Sequence, residues 1–333
     1  MPVLRQVPED FVVEEIPLYP AKGEGGHTFL LIEKRDVTSE SVARALARAA
    51  QAAPRDVGYA GRKDRHAVAR QWFSAPGLDP ERALELELPG CRVLEAIRHP
   101  HKLRTGHLAG NRFDLRVREV SPETIAAAPA AGEALSRTGL PNRFGVQRFG
   151  RQGDNAERGR ALLAGGRVDR DRRAARFWLS ALQAEVFNAV LDERPIPPGR
   201  LERGDVAVVH ASGGLFLVET SVREQPRADA FEISPTGPIF GTKVSVEPAG
   251  QPARRERAAM ARLGIPAPLL PPPGVRLHGT RRPLRVQPRE VEVEADDGAL
   301  RLRFVLPSGS YATVFVDALL VAAGAEPVRV VVE

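Results

Sequence analysis

The local pattern of this 333-residue chain changes character twice, which constrains its fold more than any single motif does. Near the start, short β-branched and apolar runs between turn signals predict strands at about 10–15, 28–33, 57–60, 71–74, 92–98 and 112–120. Helices are predicted from Thr38 or Ser39 to about Ala53, over Pro80–Glu87, and from Ser121 to about Thr138. Gly139-Leu140-Pro141-Asn142 breaks this pattern, and helices dominate beyond it. The second of them, at 173–193, carries Phe177, Leu179, Leu182, Val186, Phe187, Val190 and Leu191 as a buried stripe. Short strands follow at 206–210 and 215–220, then a helix at 252–263 and a proline-rich linker at 266–274. Strand character returns after Arg281, at 284–287, 291–294 and 300–306, before a last helix at about 310–322. The expected class is α+β. Residues 1–140 and 282–333 would close one mixed sheet flanked by helices, and 141–281 would be an inserted α/β domain.

Composition narrows the function classes. At 43% hydrophobic and 27% charged the chain is ordinary globular protein. No apolar run reaches the roughly 18 residues a membrane span needs. The first residues lack the apolar core of a signal peptide, and Cys91 is the lone cysteine, so disulfides and thiolate zinc sites are excluded. A cytoplasmic, membrane-free protein is expected.

Basic residues number 48 against 42 acidic, a net charge of +6. They are unevenly placed. Asn142–Phe177 holds ten arginines (143, 148, 151, 158, 160, 167, 170, 172, 173 and 176) against four acids. Arg92–Arg118 holds seven basic residues against Glu95 and Asp114. Two such blocks read either as a nucleic-acid footprint or as solvated arginine-rich faces.

Several local features carry little chemistry. Gly23–His27 lacks the Lys-Ser/Thr of a phosphate loop and reads as a turn, and Gly237–Lys243 has the wrong spacing for one. His99, His101 and His107 have no nearby cysteine or paired acid to complete a metal site. Val57–Ser74 is the informative segment. There Asp64 stands among Arg62, Lys63, Arg65 and His66 on a loop between two strands. Nearby cations favour the carboxylate form. An anionic aspartate can attack as a nucleophile or act as a base, but it cannot serve as an acid. The same residues equally describe an idle, solvated hairpin tip.

Gly58-Tyr59-Ala60-Gly61-Arg62-Lys63-Asp64-Arg65-His66-Ala67 resembles the active-site motif of the TruD-type tRNA pseudouridine synthases. Further matches follow the family order: Pro8–Glu15, Gly110–Phe113, Pro141–Gly150, Phe177–Ala181, Gly237–Gly241 and Leu306–Thr313. The resemblance implies a pseudouridine-synthase catalytic domain with an inserted TruD-specific domain and RNA bound in the cleft between them. It implies a cofactor-free, metal-free isomerase, expected as a monomer, that converts a uridine of tRNA, typically position 13, to pseudouridine. Asp64 falls on the catalytic aspartate, Asn111 and Phe113 on an Asn-x-Phe motif, and Arg5 on a basic residue three places before Pro8.

Other roles follow from chemistry. Phe113 offers a ring for the flipped base, although its alternation with Leu115 and Val117 also reads as core. Asn111 has donor and acceptor for a uracil edge, or is a turn residue after Gly110. Lys63 and Arg65 flank Asp64, and Arg148 and Arg151 are candidate phosphate contacts or plain surface arginines. The alternative function is a non-catalytic RNA-binding protein or chaperone that uses the same surface. If the basic blocks meet RNA, log affinity for tRNA falls linearly with log salt, with a slope near about −0.7 to −0.9 per phosphate neutralised. A salt titration of binding checks this, and a flat response removes the blocks from the interface.

Overall fold

The computed structural model describes residues 1–150, 152–166 and 172–331. The chain divides into two compact units. One comprises Met1–Ser136, Pro288–Ala312 and Val316–Glu333, the other Arg137–Gln287 and Thr313–Phe315.

In chain order the first unit contains β1 (Val3–Leu4), β2 (Phe11–Pro17), β3 (His27–Arg35), α1 (Ser39–Ala49), β4 (Gly58–Tyr59), β5 (Val68–Pro76), α2 (Pro80–Leu84), β6 (Cys91–His99), β7 (Leu108–Arg118) and α3 (Pro122–Thr138). The second unit contributes β8 (Leu140–Pro141), α4 (Asn155–Leu163), α5 (Arg172–Asp192), β9 (Val206–Val209), β10 (Leu215–Leu217), α6 (Ser221–Asp229), β11 (Ile233–Ile239), α7 (Gly250–Arg262), β12 (Thr280–Pro283) and β13 (Arg285–Val286). The chain then completes the first sheet with β14 (Arg289–Asp296) and β15 (Ala299–Pro307), followed by α8 (Ala312–Ala322) and β16 (Arg329–Val330).

The main sheet runs β14-β15-β7-β2-β5-β3-β6, with β1, β4 and β16 attached. It is mixed: β2 pairs with β5 in parallel, whereas β7 pairs with β2 and β15 antiparallel. One face is the core. Leu30, Ile32, Phe73 and Ala75 pack against Val42 and Leu46 of α1, and Phe113, Leu115, Leu302 and Phe304 continue the buried face. Thr38 caps α1 by accepting the Ser41 N–H, as expected of a threonine ahead of an apolar helical stripe.

The other face carries an ion ladder. Arg70 donates from Nε to Glu33 at 2.9 Å and from Nη1 to Glu14 at 3.1 Å, and Arg112 donates to Glu290 at 2.9 Å. Strand alternation places every second residue here, so charge outside and hydrocarbon inside come from one period of two.

The second unit holds a four-stranded sheet ordered β10-β9-β11-β12 and a β8-β13 pair. Leu162, Leu179, Leu182, Val186 and Phe240 form one of its cores. Four of its elements, β8, α6, β11 and β12, escape the sequence reading, and all contain proline. In β11, Ile233–Pro235 pairs with β9 while Thr236–Ile239 pairs with β12. Pro235 lies opposite Ala207 of β9 while its carbonyl accepts the Leu284 N–H at 2.8 Å, and Pro238 lies opposite Arg281 of β12. Pro226 sits inside α6 and hides it in the same way. Phe177 is corrected: it is 43% exposed and lies outside the buried stripe of α5. Asn111 is likewise no turn residue, because β7 begins at Leu108.

Asp114 anchors the solvent side of β7. Arg301 donates to it from Nε at 2.9 Å and Nη2 at 2.7 Å, and these bonds hold its carboxyl below the usual carboxylate range. A lowered carboxyl stabilises the fold above its unfolded pKa, and that contribution is lost as pH falls through the folded value. Asp114→Asn should cost no more than about 1 kcal/mol at neutral pH. In urea melts the gap to wild type should narrow as pH falls below the ordinary aspartate value of about 3.9.

Candidate active site

The site is assembled on the buried sheet face over two successive levels where hydrocarbon gives way to polar side chains, Glu15 and Gln71 on one and Lys34 on the next, beside Ala69 and Val13. The pattern is visible strand by strand. Phe11 and Val13 are followed in phase by Glu15, Leu30 and Ile32 by Lys34, and Phe73 is preceded in phase by Gln71. Pairing puts Glu15 opposite Asn111 and Val13 opposite Phe113. Glu15, Lys34 and Gln71 are all buried, at 2%, 0% and 0% exposure. Above them runs the loop between β4 and β5 that carries Asp64.

Buried polar groups must find partners or cost free energy, and here the loop backbone supplies them. Gln71 donates from Nε2 to the Gly61 carbonyl at 2.5 Å. Ser39 donates to Gln71 at 2.7 Å and accepts the Lys63 N–H at 3.2 Å. Lys34 donates from Nζ to the Asp64 carbonyl at 2.7 Å and to the Val37 carbonyl at 2.8 Å.

Asp64 itself is about one-third exposed. Its Oδ1 accepts the His66 N–H at 3.2 Å, and its Oδ2 pairs with the Arg5 guanidinium. Val3 and Leu4, buried in β1 against β7, anchor the arm that delivers Arg5. Arg5 then takes a left-handed conformation, φ 66°, and lays its guanidinium 4.0 Å from the Phe11 ring centroid.

The expectation that the flanking cations surround the Asp64 carboxylate is corrected. Arg62 pairs with Glu40 at 2.7 Å, Arg65 donates to the Asp36 carbonyl at 3.1 Å, and His66 faces Asp36. Lys63 points inward, its Nζ 3.2 Å from Glu15 and 2.5 Å from Asn111 Oδ1. Each of these neighbours is held by a partner of its own, so none of them reaches the Asp64 carboxylate. The cation that does comes from 59 residues away.

Burial pushes the Glu15 carboxyl up and the Lys63 ammonium down, and their mutual attraction opposes both shifts. Lys63 also fixes Asn111. By donating to Oδ1 it leaves the Asn111 amide nitrogen as the free donor of that side chain. Phe113 is 6% exposed, stacked on Phe304 at 5.2 Å between ring centroids and edge-on to Phe11 at 6.1 Å.

Among the second unit's residues, Arg148 lies 5.3 Å from the Phe144 ring centroid and lines a concavity of about 340 Å³ with Ser180, Gln183 and Arg282. Arg151, Arg167 and Arg170 lie outside the described residues. His99 packs on Phe29 at 4.1 Å and stacks on Tyr19 at 5.5 Å, as a core ring. Among the described residues no group of three or more His, Cys, Asp or Glu could hold a metal ion, and no helix is long and apolar enough to cross a membrane.

Glu15, Lys34, Gln71 and Ser39 were not singled out from sequence. Three of them had a signal: a polar residue standing in phase with the apolar face of its strand.

The fold is of the pseudouridine-synthase type. A crystal structure from Methanosarcina mazei, described as a putative tRNA pseudouridine synthase D, superposes with a TM-score of 0.73 at 22% identity, covering 98% of this chain and 94% of that one. The family model "tRNA pseudouridine synthase D (TruD)" matches residues 2–170 and 169–318. The tRNA pseudouridine synthase D of Geobacter metallireducens is 41% identical over 93% of this chain and 92% of its own length. That of Anaeromyxobacter sp. strain Fw109-5 is 44% identical over 97% and 93%. This chain belongs to the TruD family of tRNA pseudouridine synthases, which are isomerases.

Removing one member of a buried ion pair strands the other. Lys63→Met should therefore cost about 3–5 kcal/mol at pH 7. The loss should shrink as pH is lowered, because protonation relieves Glu15, whose carboxyl is already pushed up by burial. Chemical denaturation over a falling pH series checks both statements.

Proposed function

We propose that Asp64 starts the conversion of uridine to pseudouridine that this family carries out on tRNA, with position 13 as the target and no cofactor. The observation that carries this reading is the state of its side chain. Asp64 is a partly exposed carboxylate, held as an ion pair by Arg5, on a loop whose backbone is fixed from below by three buried side chains.

The reaction breaks the bond between C1′ and N1, turns the uracil and joins C1′ to C5. N1 gains a proton and C5 loses one, so the atoms balance without an oxidant or a co-substrate. The chemistry asks for an anion beside the ribose–base bond and a hold on the detached base. An arginine-paired carboxylate meets the first demand, since a carboxylate can attack carbon or take a proton. The Asn111 amide, turned by Lys63 to offer N–H, meets the second by donating to a uracil carbonyl. Phe113 supports that strand from the core.

The target base must leave the stack, at a cost of a few kcal/mol. Arg148 and the other arginines of the basic blocks would offset that cost through phosphate contacts that position RNA without reading its sequence. Selection of one uridine then rests on the shape of the folded tRNA.

Pseudouridine mapping on total tRNA decides the matter. Wild-type protein should add the modification at position 13. Asp64→Asn should abolish it while tRNA affinity stays within about threefold, because only the reacting anion is removed. Normal turnover by Asp64→Asn would overturn the assignment, and tRNA binding without conversion by wild type would leave a binding protein.

A further inference from the structure

Lys34 is a charged side chain that is fully buried, at 0% exposure. Among the described residues its ammonium pairs with no carboxylate. Its two hydrogen bonds go to the backbone carbonyls of Val37 and Asp64, at 2.8 and 2.7 Å. A buried charge without a counter-ion is expensive to keep, and Met or Leu would fill the same volume at less cost. What the charge does here is join two segments. Val37 belongs to the turn between β3 and α1, and Asp64 belongs to the loop between β4 and β5.

The other two loop clamps hold Gly61 and Lys63, by Gln71 and Ser39. Among the described residues, Lys34 is the side chain that grips the Asp64 carbonyl itself. We propose that Lys34 is the positioning residue for the reaction: its buried ammonium fixes the backbone from which the Asp64 carboxylate projects toward the ribose–base bond. It touches no reacting atom and acts through Asp64. The inference rests on Asp64 being the initiating group. A group that must meet C1′ or C6 gains most of its effect from placement, and a displacement of about 1 Å can cost on the order of 100-fold in rate.

The surroundings give this residue its own titration. Burial brings the Lys34 ammonium down to about 8. The charged and titratable groups around it are Asp64 and Lys63 from the loop, Cys91 from β6 and Glu40 from α1. Asp64, Cys91 and Glu40 favour the ammonium, while Lys63 opposes it. Deprotonation turns two charge-assisted bonds into weaker neutral ones. The protonated side chain holds the loop below that pH, and the hold slackens above it.

The test compares wild type with Lys34→Met, using single-turnover pseudouridine formation on unmodified tRNA, tRNA affinity, and hydrogen exchange of the peptide covering residues 61–66. Lys34→Met should lower the single-turnover rate by about 10- to 100-fold. Affinity should stay within about twofold, because the residue is buried beneath the site. Exchange over 61–66 should quicken. The wild-type rate should fall with an alkaline limb near pH 8, and that limb should be absent from the residual rate of Lys34→Met. A rate within about twofold of wild type, unchanged loop exchange, or a loss confined to affinity overturns the proposal. Lys34→Gln, which keeps one uncharged donor, serves if Lys34→Met does not fold, and its rate should lie between the two. If neither folds, the wild-type profile decides: a rate flat from about pH 7 to about 9.5 refutes the role of the ammonium. Asp64→Asn runs alongside. If it turns over normally the assignment of Asp64 fails, whatever the loop exchange shows.

Discussion

Ionic and polar side chains enter the buried face of the main sheet at two successive levels, and the loop bearing Asp64 takes its shape by satisfying them. Glu15 and Gln71 replace hydrocarbon side by side on two adjacent strands, and Lys34 does so one level away on the third, beside Ala69. Each needs a partner, because a bare polar group in such surroundings costs on the order of 1–3 kcal/mol and a bare charge costs more. Two of those partners are backbone atoms of the loop. Lys63, reaching down to Glu15, supplies the third. The loop is long and rich in charge, yet it is pinned at Gly61, Lys63 and Asp64 in turn.

Electrostatics on the two faces of this sheet work differently. The outer ladder through Glu33, Arg70, Glu14 and Arg112 is wet, so each pair contributes at most about 1 kcal/mol, and losing one does little. The inner set is dry. There the same kinds of side chain cannot be altered singly without stranding a partner. That asymmetry explains how a protein with charges throughout its strands concentrates its chemistry at one loop. Arg5 belongs to the inner logic. Its guanidinium is nearly buried over Phe11 and meets the one carboxylate of the set that solvent can reach.

Much of this was legible in the residues. The strands at His27–Arg35, Val68–Pro76 and Ala299–Pro307 and the helices at Ser39–Ala49 and Arg172–Asp192 fall where period-two and helical patterns put them, within a few residues. The loop position of Asp64 was legible too, since glycine and charge interrupt the pattern between Tyr59 and Val68. The prolines of β11 and α6 concealed both elements, because a proline is acceptable in a strand only where its missing N–H faces no neighbour, and that depends on pairing. Phe177 continued the helical stripe of α5 in sequence, yet it lies past the edge of what covers that helix.

Sequence by itself determined the alternation that makes the sheet, the family signature around Asp64, and the presence of polar residues in phase with apolar ones. Only the tertiary structure decided which cation meets which anion. Arg62, Lys63, Arg65 and His66 stand beside Asp64 in the chain, but Arg5 holds its carboxylate and Lys34 its carbonyl. The reason is geometric. The neighbours of Asp64 find partners of their own, whereas sheet pairing brings residues from distant strands to one face, so the contacts that set charge and position are fixed by register and not by sequence distance.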